Sequence, residues 1–204
     1  MTTFLLVRHA AHTLGGDVLA GRTPGVHLSV EGIREAGRLA SHLAGMGIAA
    51  IYSSPLERAI ETAMPLAQFV GITPHVDPAV NEIDFGTWTG LTFDALASDP
   101  QWDYWNSFRS GTRAPEGESM LEAQARIVAT LDRMRAEHPD AIVAVVSHGD
   151  LIKAALTYFL GMPLDFLLRL EINQASMSML ALHDWGPRVL CVNERGTLWA
   201  TDHS

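Results

Sequence analysis

Three unbroken apolar runs of strand length, Phe4–Val7, Ala49–Tyr52 and Ile142–Val146, constrain this chain more than any other feature. A strand covered on one face alternates apolar with polar residues, whereas a run without alternation needs apolar cover on both faces. Helical patterns with readable starts lie between the runs. Ser54-Pro55-Leu56-Glu57 predicts a capping box, with Ser54 at N-cap, Pro55 at the first helical position and Glu57 at the third. Leu56, Ala59, Ile60, Ala63 and Ala67 then keep helical spacing. Ser119-Met120-Leu121-Glu122 repeats the box ahead of Ile127, Leu131 and Met134. Ile33, Ala36, Ala40 and Leu43 predict an earlier inward stripe, and Leu151, Ala155, Leu156 and Phe159 a later one. Met177–Leu182 and Val189–Val192, separated by Trp185-Gly186-Pro187, predict a further strand pair. Such alternation predicts an α/β fold, a doubly wound three-layer sandwich with a largely parallel central sheet.

A chain of 204 residues that is 48% hydrophobic can bury a sizeable core, which excludes a disordered reading. No repeat or linker interrupts it, so one domain spanning residues 1–204 is expected. The net charge of −9 argues against nucleic-acid and anionic-membrane partners, both of which need a basic face. An anionic substrate would therefore need positive charge that is local and pre-arranged. The single cysteine, Cys191, excludes an intramolecular disulfide, and its apolar surroundings predict a buried, inert thiol. The apolar run at the amino terminus is too short for a signal-peptide core, and no run reaches membrane-spanning length. A cytoplasmic location is the expectation.

Residues 85–108 break the strand–helix rhythm and hold seven aromatics: Phe85, Trp88, Phe93, Trp102, Tyr104, Trp105 and Phe108. With the Gly/Pro-rich tail that follows, they form a small cap insertion at about 85–118. It is either a lid over a pocket or a patch of secondary core.

The chemistry begins where strands end. Phe4–Val7 runs into Arg8-His9-Ala10, and Ala141–Val146 into Ser147-His148-Gly149-Asp150. In a doubly wound fold the carboxyl ends of strands are where ligands sit. Ala49–Tyr52 leads through Ser53-Ser54 to Arg58, whose side chain, one turn into a helix, leans back toward the same crevice. Two arginines and two histidines converging there would make a concentrated positive pocket suited to phosphate oxygens. Neither a phosphate-cradling Gly-x-x-x-x-Gly-Lys-Ser/Thr loop nor a Gly-x-Ser-x-Gly nucleophile elbow occurs in the chain.

Five segments occur in one order: Leu6-Val7-Arg8-His9, Ser53-Ser54-Pro55-Leu56-Glu57-Arg58-Ala59, Glu82-Ile83-Asp84-Phe85-Gly86-Thr87-Trp88-Thr89-Gly90, Pro115-Glu116-Gly117-Glu118-Ser119 and Val146-Ser147-His148-Gly149. Together they resemble the histidine phosphatase superfamily, the phosphoglycerate-mutase-like enzymes, from about residue 4 to residue 160. The resemblance implies that His9 is a nucleophile that takes up the phosphoryl group. It implies that Arg8, Arg58 and His148 hold phosphate, and that Glu82 protonates the leaving oxygen and then activates water. Arg22, in Gly21-Arg22-Thr23-Pro24, matches a less constant arginine at the pocket rim. The physical demands agree. Phosphoryl transfer needs positioning and charge stabilisation, which guanidiniums and imidazoles supply without metal or other cofactor. A neutral imidazole nucleophile needs an acceptor for its other N–H, and Glu82 must have a raised pKa to donate near neutrality.

Ala10 replaces the family's usual glycine, His12 a common threonine, and Gly15 an asparagine that contacts phosphate in many members. The chain is short for a sugar-phosphate mutase, which favours a phosphatase acting on a small phosphorylated metabolite. Homodimerisation is left open. A phosphomutase and a non-catalytic phosphate-binding module are the alternatives within the family. Outside it, His9, His12, His148 and Asp150 could ligate a metal, but the adjacent Arg8 and Arg58 would oppose a cation. His27, His42, His75, His138, His183 and His203 carry no identifiable role, and Trp185 and Trp199 are expected to pack.

Overall fold

The three apolar runs become neighbouring strands of one sheet. The computed structural model describes residues 1–196. Its strands are β1 (Thr2–Arg8), β2 (Ile48–Ser53), β3 (His75–Val76), β4 (Ile142–Ser147), β5 (Met177–His183) and β6 (Gly186–Glu194). They stand in the order β3-β2-β4-β1-β5-β6. The first four run parallel, while β5 is antiparallel to β1 and β6 to β5. The unbroken apolar sequences of β2, β4 and β1 follow from this placement at the centre, where both faces are covered.

The helices are α1 (Val30–Leu43), α2 (Glu57–Val70), α3 (Phe93–Leu96), α4 (Pro100–Ser107), α5 (Met120–Glu137) and α6 (Gly149–Phe159). Alternate strand residues point to opposite faces. Leu5, Val7, Ile51, Ala144 and Val146 pack with residues of α1 and α2. Phe4, Leu6, Tyr52, Val143 and Val145 pack with residues of α5 and α6. The outcome is a mixed α/β architecture, a mostly parallel six-stranded sheet flanked by helices.

Local signals set most helix starts. The Ser119 hydroxyl accepts from the Glu122 N–H at 3.2 Å, and the Glu122 carboxylate accepts from the Ser119 N–H at 2.9 Å. That is the capping box expected for α5. At α2 the expected box fails. The helix begins at Glu57 with Leu56 as its N-cap and no side-chain cap, while Ser54, three residues earlier, accepts from the Leu56 N–H at 3.4 Å rather than from Glu57. In α1 the inward stripe is Gly32, Ala36, Leu39, Ala40 and Leu43, and Ile33 is 62% exposed. Gly32 sets this rotation, because a Cβ there would lie 1.9 Å from the Ala11 carbonyl oxygen.

Trp185 is not a packing residue. It occupies the β5–β6 turn, 71% exposed and stacked on His183 with ring centroids 4.5 Å apart. Cys191 is half-buried, because β6 is an edge strand and several of its residues face out. His27 and His138 do have partners, Glu61 and Tyr52 respectively. Trp199 and His203 lie outside the described residues. Among the described residues no helix is long and apolar enough to cross a membrane.

The aromatic segment divides. Phe85, Trp88 and Trp105 are buried, with Trp105 edge-on to Trp88 at 5.8 Å and to Phe85 at 6.2 Å. Such contacts add about 0.5–1.5 kcal/mol each beyond area burial. Phe93 and Trp102 instead line a cavity over the strand ends, and Tyr104 and Phe108 are exposed.

Candidate active site

Register puts the carboxyl ends of the three central strands level. Arg8 pairs with Ser147 across β1 and β4, and Ser53 with Val146 across β2 and β4. The residues that follow, His9, Ser54 and His148, are therefore brought to one place. All three are buried.

The His9 Nδ1 lies 2.8 Å from the Ala10 carbonyl oxygen, an acceptor that fixes the proton on that nitrogen. Nε2 is then bare, and Arg58 Nε donates to it at 3.4 Å. The Ala10 N–H donates to Thr62 Oγ1 at 3.0 Å, which ties the loop after β1 to α2. Burial first, and then the Arg58 charge, hold the His9 pKa well below the usual imidazole range. The ring is neutral, as a nitrogen nucleophile must be.

Arg58 occupies the first turn of α2 and is buried, which its charge would not permit without partners. Its Nη2 donates to the Gly21 carbonyl at 2.6 Å and reaches His148 Nδ1 at 3.4 Å. The opposite His148 nitrogen, Nε2, lies 2.7 Å from Ser54 Oγ. The same hydroxyl accepts from the Leu56 N–H at 3.4 Å and donates to Asn81 Oδ1 at 3.2 Å. Ser54 thus ties the turn before α2 to the loop that carries Glu82 and orients His148. The His148 pKa is also held well below its usual range, by burial and by neighbouring positive charge.

Glu82 Oε2 stands 3.8 Å from His148 Nδ1, and Oε1 accepts from the Ile83 N–H at 2.9 Å. Burial, reinforced by the Asp150 carboxylate, pushes its pKa up to about 7 against the opposing pull of that N–H and of Arg58 and Arg8. Arg8 donates through Nη1 to the Ile172 carbonyl at 2.6 Å. Arg8, His9, Arg58 and Glu82 all line a cavity of about 360 Å³.

Arg22 is not among the lining residues. Its Nε donates to the Glu82 carbonyl at 2.8 Å, and its guanidinium reaches Asp84 at 3.2 Å and Glu118 at 3.3 Å. Arg126 grips Glu118 from the other side with two bonds of 2.9 Å. The expected rim residue thus lies behind the Glu82 backbone.

The structure adds wall residues that sequence reasoning did not single out: Asn106, Arg109, Lys153 and Gln174. Asp150, considered there only as a metal ligand, joins them and pairs with Arg109 at 2.9 Å. Burial pushes its pKa up, but the charges of Arg109 and Lys153 prevail and keep it low. Lys153 could have been found from its spacing, one helical turn beyond Gly149. Arg109 carried no signal. Among the described residues no three His, Cys, Asp or Glu side chains form a metal-binding cluster, so His9, His12, His148 and Asp150 do not assemble as one. Because the Arg109–Asp150 pair cancels, Arg8, Arg58 and Lys153 leave the cavity electropositive in a chain of net charge −9.

Residues 4–195 match the histidine phosphatase superfamily, branch 1. The chain belongs to that family. Histidine phosphatases of known structure share its fold. Phosphoserine phosphatase from Entamoeba histolytica in complex with 3-phosphoglyceric acid superposes with a TM-score of 0.85 and 26% identity, covering 95% of this chain and 98% of that one. The "Bifunctional protein Rv2228c" of Mycobacterium tuberculosis is 37% identical over 203 residues, which is 97% of this chain and 55% of that protein. The chain thus spans about half the length of its mycobacterial relatives. A Yersinia pestis protein described as "Probable phosphoglycerate mutase GpmB" is 33% identical over 151 residues, 72% of this chain and 69% of that protein. Superfamily members of both kinds, phosphatase and mutase-like, are therefore among its relatives.

Proposed function

We propose that the protein is a metal-independent phosphomonoester hydrolase acting on a small phosphorylated metabolite through a phosphohistidine on His9. The observation that carries this reading is the bare Nε2 of a neutral, buried His9 beside Arg58, in a cavity that also presents a carboxyl group of pKa about 7. In the first step Nε2 attacks phosphorus, the bond to the leaving oxygen breaks, and Glu82 gives that oxygen its proton. Glu82, now a carboxylate, then takes a proton from water as the water oxygen attacks the phosphohistidine. The P–N bond breaks, inorganic phosphate leaves, and His9 is neutral again. Arg8 and Arg58, which line the cavity, offer the phosphoryl oxygens donors as charge redistributes in the transition state. His148, buried behind them with its nitrogens on Ser54 and Arg58, acts by holding the Arg58 guanidinium in place.

The resemblance to the Yersinia protein favours a second reading, a phosphomutase, in which the phosphohistidine is attacked by a substrate hydroxyl instead of water. Incubating purified protein with p-nitrophenyl phosphate and, separately, with 3-phosphoglycerate separates the two. Release of inorganic phosphate and an acid-labile, alkali-stable phosphoenzyme are expected. Interconversion of phosphoglycerate isomers without phosphate release would favour the mutase, and an acid-stable phosphoenzyme would overturn both.

A further inference from the structure

His12 stands apart from the other two imidazoles of the site. His9 and His148 each have a ring nitrogen fixed by a short bond, to the Ala10 carbonyl and to Ser54. His12 lines the same cavity, its ring 5.4 Å from that of His9, yet no side-chain hydrogen bond of His12 occurs among the described residues. Its Nδ1 is buried without a partner. A packing histidine satisfies such a nitrogen, since an unmade bond in the interior costs about 1–3 kcal/mol. The main chain that carries the ring is held in place, because His12 bridges Leu28 through its backbone and its carbonyl accepts from the Gly15 N–H at 3.3 Å.

The neighbours of His12 define what it could bind. Arg58 Nη1 and Arg8 Nε, from residues lining the same cavity, are likewise buried without partners. Burial and the charges of Arg58 and Arg8 lower the His12 pKa to about 4, so the ring is a neutral donor at pH 7. Gly15, on the same wall, contributes no side chain. Three residues that line the cavity beside His9 thus each carry a nitrogen without a partner, and the third is this imidazole.

We propose that His12 is a phosphate-binding group, donating a ring N–H to a phosphoryl oxygen held against His9. The inference rests on the phosphatase reading above and adds a ligand to it.

The test compares wild type with His12→Ala and His12→Asn, whose amide can donate from a similar place. Inorganic phosphate is the probe, measured as a competitive inhibitor of p-nitrophenyl phosphate hydrolysis. Loss of one donor to an anion should raise the phosphate inhibition constant by about tenfold in His12→Ala, with partial recovery in His12→Asn. In wild type, the ¹⁵N resonances of the His12 ring should shift on phosphate addition, a readout that needs no variant to fold. A phosphate constant within twofold of wild type in His12→Ala, or unshifted ring resonances at saturation, would overturn the role of His12 alone. A wild-type protein that neither hydrolyses the ester nor binds phosphate would overturn the phosphatase reading and this inference together.

Discussion

Arg22 Nε donates to the main-chain carbonyl of Glu82 at 2.8 Å, so an arginine outside the cavity fixes the backbone of the carboxyl group inside it. The same guanidinium is clamped by Asp84 and Glu118. Arg22→Ala is therefore expected to lower kcat on an alkyl phosphate by about tenfold, the scale of one lost hydrogen bond to a charged group, with little change in KM. Lysine should rescue poorly, since a point charge cannot replace the planar fork. Steady-state kinetics check this. A raised KM at unchanged kcat would instead place Arg22 in contact with substrate.

His9→Ala should abolish turnover by at least roughly 10³-fold while leaving the thermal unfolding transition near wild type. Among the described residues of the cavity, His9 is the imidazole whose Nδ1 is tied to a main-chain carbonyl, which leaves Nε2 unprotonated for attack. Acid-quench labelling should find no phosphoenzyme in the variant, and activity within tenfold of wild type would sink the covalent mechanism.

Glu82→Gln should damage hydrolysis of alkyl phosphates far more than that of p-nitrophenyl phosphate. General acid catalysis contributes about 10²–10⁴-fold where the leaving group needs a proton, and nitrophenolate leaves nearly unaided. The variant should show a burst of nitrophenol, because dephosphorylation loses its general base. Equal losses on both substrates without a burst would show that Glu82 is structural. In wild type, alkyl phosphate hydrolysis should fall as pH rises through about 7, where the acid form is lost.

The raised pKa of Glu82 also has a stability cost. Its folded value of about 7 lies above the ordinary 4.5. As pH rises from 4.5 to 7, the unfolded chain releases this proton first, so stability falls across that window and stays lower above it. The shift corresponds to about 3 kcal/mol. Glu82→Gln, which cannot ionise, should be more stable than wild type at pH 8 and show no such advantage at pH 4. Urea midpoints at the two pH values measure it; equal midpoints at pH 8 would contradict a buried, proton-retaining carboxyl.

Gly86→Ala should destabilise the fold by roughly 2–4 kcal/mol, through left-handed backbone strain and overpacking together. Gly86 has φ +51°, and a Cβ there would lie 1.9 Å from the Pro115 carbonyl oxygen. The contact joins the loop that carries Glu82 and Asp84 to the turn that carries Glu118. Activity should therefore fall along with the urea midpoint, and an unchanged midpoint would show that the two segments can separate.

The sequence by itself determined what depends on neighbours along the chain. Two-face burial wrote unbroken apolar runs into β1, β2 and β4, and Ser119 with Glu122 wrote the start of α5. His9, Arg58 and His148 were legible because each sits a fixed step beyond a strand or helix signal. Glu82 carried no such signal and was pointed to only by the resemblance of the ordered motifs. Tertiary structure decided whatever depends on a distance between remote segments. Ser54 reads as a helix cap in one dimension, yet it bonds His148, 94 positions away, because β2 and β4 end side by side. Arg22 matches a rim position but turns to Asp84 and Glu118, whose carboxylates arrive from elsewhere in the chain. Arg109 meets Asp150 only where the aromatic segment packs over α6, and His12 is left unpartnered only by the shape of the cavity wall. Periodicity and capping report which way a side chain leaves its own element. Which group it then meets, and whether that group neutralises it, depends on how the strands order themselves in the sheet.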